Sequence, residues 1–275
     1  MSDEKICTEH LVAFIDLLGF KEAIKNNTQE DEIFKLLKSF QEATGNSKVE
    51  DSGDARLGVS VFSDHVVISV RIKDMNYQGR SCSIDFLKAF QLAISGFARL
   101  ALAHGFLIRG GITVGELFHE NGIVFGKALV EAYELESEVA VYPRVIISKK
   151  LATFFEADID IFSEVDFDGI LSLKYLEGVL CENFKDLEYK KEINFKVEHF
   201  SPMIKKNLDK HGKLTTSTGL KILSKWQYFS NHFQETQDEA LGPRVQSVNV
   251  KMTLDGLAPT QISLVQAGER TRKSI

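Results

Sequence analysis

The sequence predicts an α+β sandwich, with helices over one face of a largely antiparallel sheet and elements in the order βαββαβ with additions. Three observations predict it. Residues 11–18, LVAFIDLL, form an apolar run too short for a typical helix and closed by Gly19, as a buried strand would be. Residues 56–72, RLGVSVFSDHVVISVRI, are two β-rich runs meeting at Ser63-Asp64, which reads as a hairpin with its tip near Asp64. Residues 84–104 carry Phe86, Leu87, Phe90, Ile94, Phe97 and Leu100 or Ala101 at helical spacing, with Gly105 where a C′ glycine would end the helix.

The other elements follow in order. Residues 19–43 read as helical in two pieces split by the polar stretch NNTQED, with Ile33, Phe34, Leu37, Phe40 and Leu36 as candidates for one face. A polar loop covers 44–54. After the long helix, FLIRGGITVGELF reads as a strand whose glycines, Gly110, Gly111 and Gly115, imply bulges or close backbone approach. A turn at 119–122 leads to IVF, and Gly126 opens a helix running to about Ser137. RVIIS reads as a strand, SKKLATFFEA as a helix, and IDIFSEV and GILSLKYL as strands. Residues 187–213 are rich in Lys and Glu, the pattern of a solvated helix face. Residues 218–235 form an amphipathic helix with Leu220, Leu223, Trp226 and Phe233 inward, and RVQSVNVKM alternates like a strand. With no internal repeat and no Pro-, Gly- or Ser-rich linker, the division expected is a core at 1–180 and a mainly helical extension at 181–275 packed on it.

Composition bounds the function. The 275 residues carry a net charge of −6 and are 44% hydrophobic and 26% charged with only 4 prolines, which fits a globular protein and excludes disorder and low complexity. The acidic balance disfavours nucleic acid or an anionic membrane as a partner, so any polyanion must bind locally. The polar start MSDEKICTEH is no signal peptide and no apolar run is long enough for a span, so a cytoplasmic location is expected. Cys7, Cys82 and Cys181 are scattered, which suggests neither a disulfide framework nor a zinc site. His65, His104 and His119 lie in separate elements without metal-ligand spacing, and Cys82 lacks an obvious base.

Two acids stand out. Asp16 shares a strand face with Val12 and Phe14, where an ionised carboxylate is costly unless a cation or hydrogen-bond donors meet it. Asp64 alone is ordinary turn chemistry. Together, two acids on neighbouring strands beside a Gly-containing strand-to-helix turn are the minimum equipment for metal-assisted chemistry on a nucleoside triphosphate.

At these residues the chain resembles a family. AFIDLLGFK resembles the first-strand signature of class III nucleotidyl cyclases, VFSDHVV their second metal hairpin, and RGGITVG with IVFGKALVEAYELE their later strand and Gly-opened helix. With the late LSKWQYFSNHF helix, the whole is similar to the pyrimidine cyclases of the bacterial Pycsar anti-phage system. The resemblance implies a ferredoxin-like βαββαβ catalytic core holding two divalent cations, Mn²⁺ or Mg²⁺. It implies Asp16, Asp64 and the Leu17 carbonyl as metal ligands, with the backbone of Leu18, Gly19 and Phe20 cradling the triphosphate. It implies a homodimer with its sites at the interface, and a product read by an unidentified effector.

Departures from the family pattern point to the base. Adenine-specific members carry a Lys where this chain has Ser60 and an Asp where it has Ile123, so a pyrimidine read by a donor such as Arg109 is expected. The family's transition-state Asn and Arg are replaced by Val130 and Glu134, leaving Lys127 and Arg109 as candidate substitutes. The reading is UTP converted to 3′,5′-cyclic UMP and diphosphate as an antiviral second messenger. Its alternatives are CTP converted to cyclic CMP, or a silent cyclase-like domain that binds a nucleotide as a sensor.

Overall fold

A computed structural model describes residues 6–25, 30–44, 57–72, 76–77, 80–81, 83–181, 188–213 and 216–242. The expectations for the 45–54 loop, Cys82 and the alternating tail from Arg244 lie outside these residues. The chain opens with β1 (Thr8–Leu18), whose end at Gly19 (φ +96°) leads directly into α1 (Phe20–Lys25). Then come α2 (Glu30–Thr44), β2 (Gly58–Phe62), β3 (His65–Arg71), a small ribbon of β4 (Asn76–Tyr77) with β5 (Arg80–Ser81), and α3 (Ser83–Ala103). The second half carries β6 (Leu107–Glu120), β7 (Ile123–Phe125), α4 (Lys127–Glu134), a π-helical turn at Leu135–Val139, β8 (Val145–Ile147) and α5 (Lys149–Phe155). A 3₁₀ segment at Glu156–Ile161, β9 (Ser163–Val165), β10 (Leu171–Leu173), α6 (Tyr175–Leu180), α7 (Tyr189–Gly212) and α8 (Ser217–Leu241) complete it.

The result is an α/β architecture on an eight-stranded mixed sheet ordered β2-β3-β1-β6-β8-β10-β9, with β7 paired to the far end of β6. All pairings are antiparallel except β6 with β8. Strand β1 is central, and the alternation of its side chains assigns them to two cores. Leu11, Ala13, Ile15 and Leu17 pack with α2, α3 and the C-terminal helices, around Leu36, Phe40, Phe90, Phe97 and Trp226. Val12 and Phe14 face the other way, against Ala128 and Ala132 of α4.

That second layer corrects the expectation of helices on one face only. Other expectations also move. Phe34 is 65% exposed while Leu36 is fully buried, so the inward face of α2 is Ile33, Leu36 and Phe40. Leu220 is likewise exposed, and Phe229 takes the inward place in α8. The turn after β6 narrows to Asn121-Gly122, both at positive φ, and the strands expected across 159–165 and 169–176 shrink to three residues each because a 3₁₀ segment and α6 take their ends. Residues 86–103 of α3 are long and apolar enough to cross a membrane, but most of that stretch is buried in the core.

Helices α7 and α8 pair with each other, and both touch α6. An ionic and aromatic seam fixes α8 to the sheet edge. Buried Arg144 donates to Asp166 at 2.7 Å and to Asp168 at 2.6 and 2.8 Å, and Tyr228 of α8 donates its hydroxyl hydrogen to the same Asp166. Tyr142 stacks on Tyr228 at 4.8 Å between centroids, and His232 meets Glu164 at 2.7 Å.

Candidate functional site

The register of the three central strands assembles the site. Asp16 lies opposite His65 on β3 and opposite Arg109 on β6, and the Leu17 amide donates to the Asp64 carbonyl at 2.9 Å, which fixes the hairpin tip beside the end of β1. Ser63 turns at φ +56° to make that tip. Ligand atoms of Asp16, Asp64 and His65 therefore lie within 4.8 Å of one another. His65 Nδ1 is 3.2 Å from Asp64 Oδ1, and its Nε2 is 3.7 Å from Asp16 Oδ1.

Behind this group stands an ionic layer that sequence reasoning missed in part. Arg109 Nε donates to Asp16 Oδ2 at 3.0 Å, while Glu136 Oε1 lies 2.7 Å from the same nitrogen without an aligned hydrogen. Glu136 is 2% exposed. Burial pushes its carboxyl up to about 7, helped by the negative Asp16 and Asp64 and opposed by Arg109. The backbone route to this placement is unusual. Gly111 has no Cβ, and one added there would stand 2.4 Å from the Ala132 carbonyl and 2.5 Å from Leu135, so α4 and the π turn sit directly on the sheet. The wider π turn directs Glu136 inward from a sequence, ELESE, that reads as surface.

A cleft of about 340 Å³ opens over these groups, lined by Asp16, Asp64, His65, Arg109, Tyr133 and Glu136 together with residues 17–21. Of the residues expected from sequence, the structure brings Asp16, Leu17, Leu18, Gly19, Phe20, Asp64 and Arg109 into it. Three others stay outside. Ser60 is hydrogen-bonded to His119 Nε2 at 2.8 Å, and Ile123 is exposed on the β7 edge. Lys127 is 89% exposed and pairs with Glu116 at 3.2 Å. Val130 and Glu134 occupy the exposed side of α4.

The donor set suits a hard divalent cation: two carboxylates converge at an open cleft, with an imidazole in reach. Arg109 neutralises Asp16, which makes the group tolerable without a metal. Among the described residues, Asp16, Asp64 and His65 are the metal-capable cluster.

No family model and no curated protein matches the chain. Among solved structures it is similar to a bacterial light-regulated adenylyl cyclase, at 15% identity and a TM-score of 0.33. The alignment covers 72% of this chain and 59% of that one, so the chain spans little more than half the length of that protein.

Proposed function

We propose that the protein is a metal-dependent nucleotidyl cyclase, acting on a pyrimidine nucleoside triphosphate. The observation that carries the reading is the convergence of Asp16 and Asp64 at the mouth of a strand-to-helix turn, their ligand atoms within 4.8 Å. The paired order β2-β3-β1-β6, antiparallel throughout, supports the ferredoxin-like βαββαβ unit that this reading calls for. Residues 1–180 would be the catalytic core and 181–275 its extension.

A divalent cation at Asp16 and Asp64, with the Leu17 carbonyl as a further ligand, would supply charge stabilisation at the phosphoryl oxygens and acidify the ribose 3′-hydroxyl. The chain's own groups do the rest. Backbone amides after Gly19 face phosphate oxygens, since the first N–H groups of a helix have no intrahelical partner. Arg109 holds Asp16 in place and offers its remaining N–H groups to substrate. Tyr133 is half-exposed at the cleft rim, where its ring can take a base face.

Ser60 and Ile123 leave no adenine-edge contacts at the positions where adenine-specific relatives have them, and uracil's two carbonyls suit cationic donors, which favours UTP over CTP. Exposed Tyr133 lines the cleft, exposed Phe62 stacks on its His65, and exposed Val130 precedes Tyr133 by about one turn of α4. They would be covered in a homodimer that completes each base pocket from its second copy, and the cyclic nucleotide would act on a separate effector in antiviral signalling.

A silent nucleotide sensor is the second reading, favoured by one observation: Arg109, the cleft's arginine, is already engaged by Asp16 and Glu136. Incubation with Mn²⁺ and each of the four triphosphates, followed by mass spectrometry, separates the readings. Cyclic UMP lost in Asp16→Ala is the expected result. Cyclic AMP or cyclic GMP as main product refutes the pyrimidine assignment, and no cyclic product from any triphosphate refutes the cyclase.

A further inference from the structure

A second cleft, of about 530 Å³, lies on the other side of the same turn. Leu18 and Gly19 belong to both walls, so the two clefts meet across two residues. Their chemistry is opposite. The first is lined by carboxylates, and the second receives Lys206, Lys210 and His211 from α7 and Lys225 from α8.

Lys35, Lys127 and Lys191 each find a carboxylate within 3.2 Å. Among the described residues no carboxylate lies within ion-pair distance of Lys206, Lys210 or Lys225. The cleft's own acids do not neutralise it: Glu32 is engaged by His104 at 2.7 Å and by Lys35 at 3.1 Å, and Glu22, exposed on α1, lines the cleft without an ion pair to its lysines. Asp209, on the outer face of α7, is surrounded by Lys205, Lys206, Lys210 and Lys213. His211 Nδ1 is buried with no hydrogen-bond partner among the described residues. Lys225 is half-buried in this cleft, where it feels the negative Asp16 and Glu136 and the positive Arg109. Burial, with Arg109 nearby, holds its ammonium below the ordinary lysine value, a cost that an anion at its side would relieve.

We propose that this cleft seats the polyphosphate chain of the bound nucleotide, with Lys206, Lys210 and Lys225 as its cationic contacts. The inference rests on the nucleotide reading above and adds to it that the C-terminal helical hairpin is part of the substrate site. It also supplies cations to a site that Lys127, paired with Glu116 on the exposed side of α4, does not reach.

The test uses the full chain and inorganic triphosphate, titrated calorimetrically without divalent metal, alongside UTP and uridine. Wild type should bind triphosphate and UTP but not uridine. Lys206→Ala/Lys210→Ala and Lys225→Ala should each weaken triphosphate roughly tenfold to a hundredfold, because each lost contact is a charge-assisted hydrogen bond. Lys225→Arg should recover most of that loss. Asp64→Asn should bind triphosphate at least as well as wild type. In turnover the lysine variants should raise KM while leaving Mn²⁺ binding unchanged; Lys206 and Lys210 are exposed, and circular dichroism melts confirm folding. Triphosphate binding unchanged by the lysine substitutions overturns the proposal, whatever the enzyme does. Triphosphate binding lost in those variants, in a protein that cyclises no nucleotide, keeps the polyphosphate seat and overturns the cyclase reading instead.

Discussion

Asp64→Asn separates a metal centre from a decorative acidic cluster. The side chain keeps its shape, so packing is preserved and only charge is removed. Two carboxylates within 4.8 Å of each other repel by roughly 3.5 kcal/mol or more at an effective dielectric of 20. Arg109, 3.0 Å from Asp16, already offsets much of this, and Asp64 also loses its contact with His65. The net relief in the metal-free protein is therefore about 1 kcal/mol, which for a chain of this size lifts Tm by about 2–4 °C. Metal acts in the opposite direction. Saturating Mn²⁺ at about a hundredfold over Kd adds about 2.7 kcal/mol to wild type. That corresponds to a rise of roughly 5–11 °C. The variant should show little or none of it. Differential scanning calorimetry with and without Mn²⁺ gives all four numbers. Equal metal-induced shifts in wild type and variant would show that Asp64 holds no cation, and a variant that melts lower without metal would show that the acids do not repel.

Gly111→Ala should destabilise the protein by about 1–3 kcal/mol and abolish product, since its methyl group must push α4 and the π turn, with Glu136, off the sheet; denaturant melts and product yield check it together. His232→Gln should cost stability at pH 6 and progressively less as pH rises. The imidazole is pushed down by burial but raised overall by Glu164, so its contribution is complete below about pH 6.5 and disappears as pH climbs through the higher folded value; melts across pH 5.5–9 would refute this if the penalty were flat. Val130→Glu, a charge on the exposed α4 face, should halve the apparent mass in sedimentation and remove activity, and an unaffected, fully active monomer would exclude the shared-site arrangement.

The acids were legible because each breaks a pattern: Asp16 interrupts an apolar strand, and Asp64 sits at the junction of two β-rich runs. The meeting of Asp16 with Arg109 was not, since it depends on an antiparallel register between strands ninety residues apart. Glu136 was hidden for a different reason. Its neighbours alternate acidic and apolar like any surface helix, and only the extra residue in the π turn rotates it inward. Phe34 failed in the reverse sense, an apolar residue at helical spacing that the packing of α2 leaves outside, with the Lys38 ammonium 5.8 Å from its ring centroid. Lys225 was assigned to a generic amphipathic helix, and the seam through Arg144, Asp166 and Tyr228 that carries this helix to the site had no local signature.

The position of β1 between β3 and β6 has a consequence for amide exchange. Hydrogen bonds on both edges mean that the amides around Asp16 can exchange only when the sheet itself opens, so they should be among the slowest in the chain. Four residues later α1 begins, a helix of 6 residues with Ala23 as its buried anchor, which can fray by itself. A steep gradient in protection is thus built into residues 16–22: the carboxylate is clamped on the stiffest strand, while the amides beyond Gly19 remain free to adjust to whatever anion arrives.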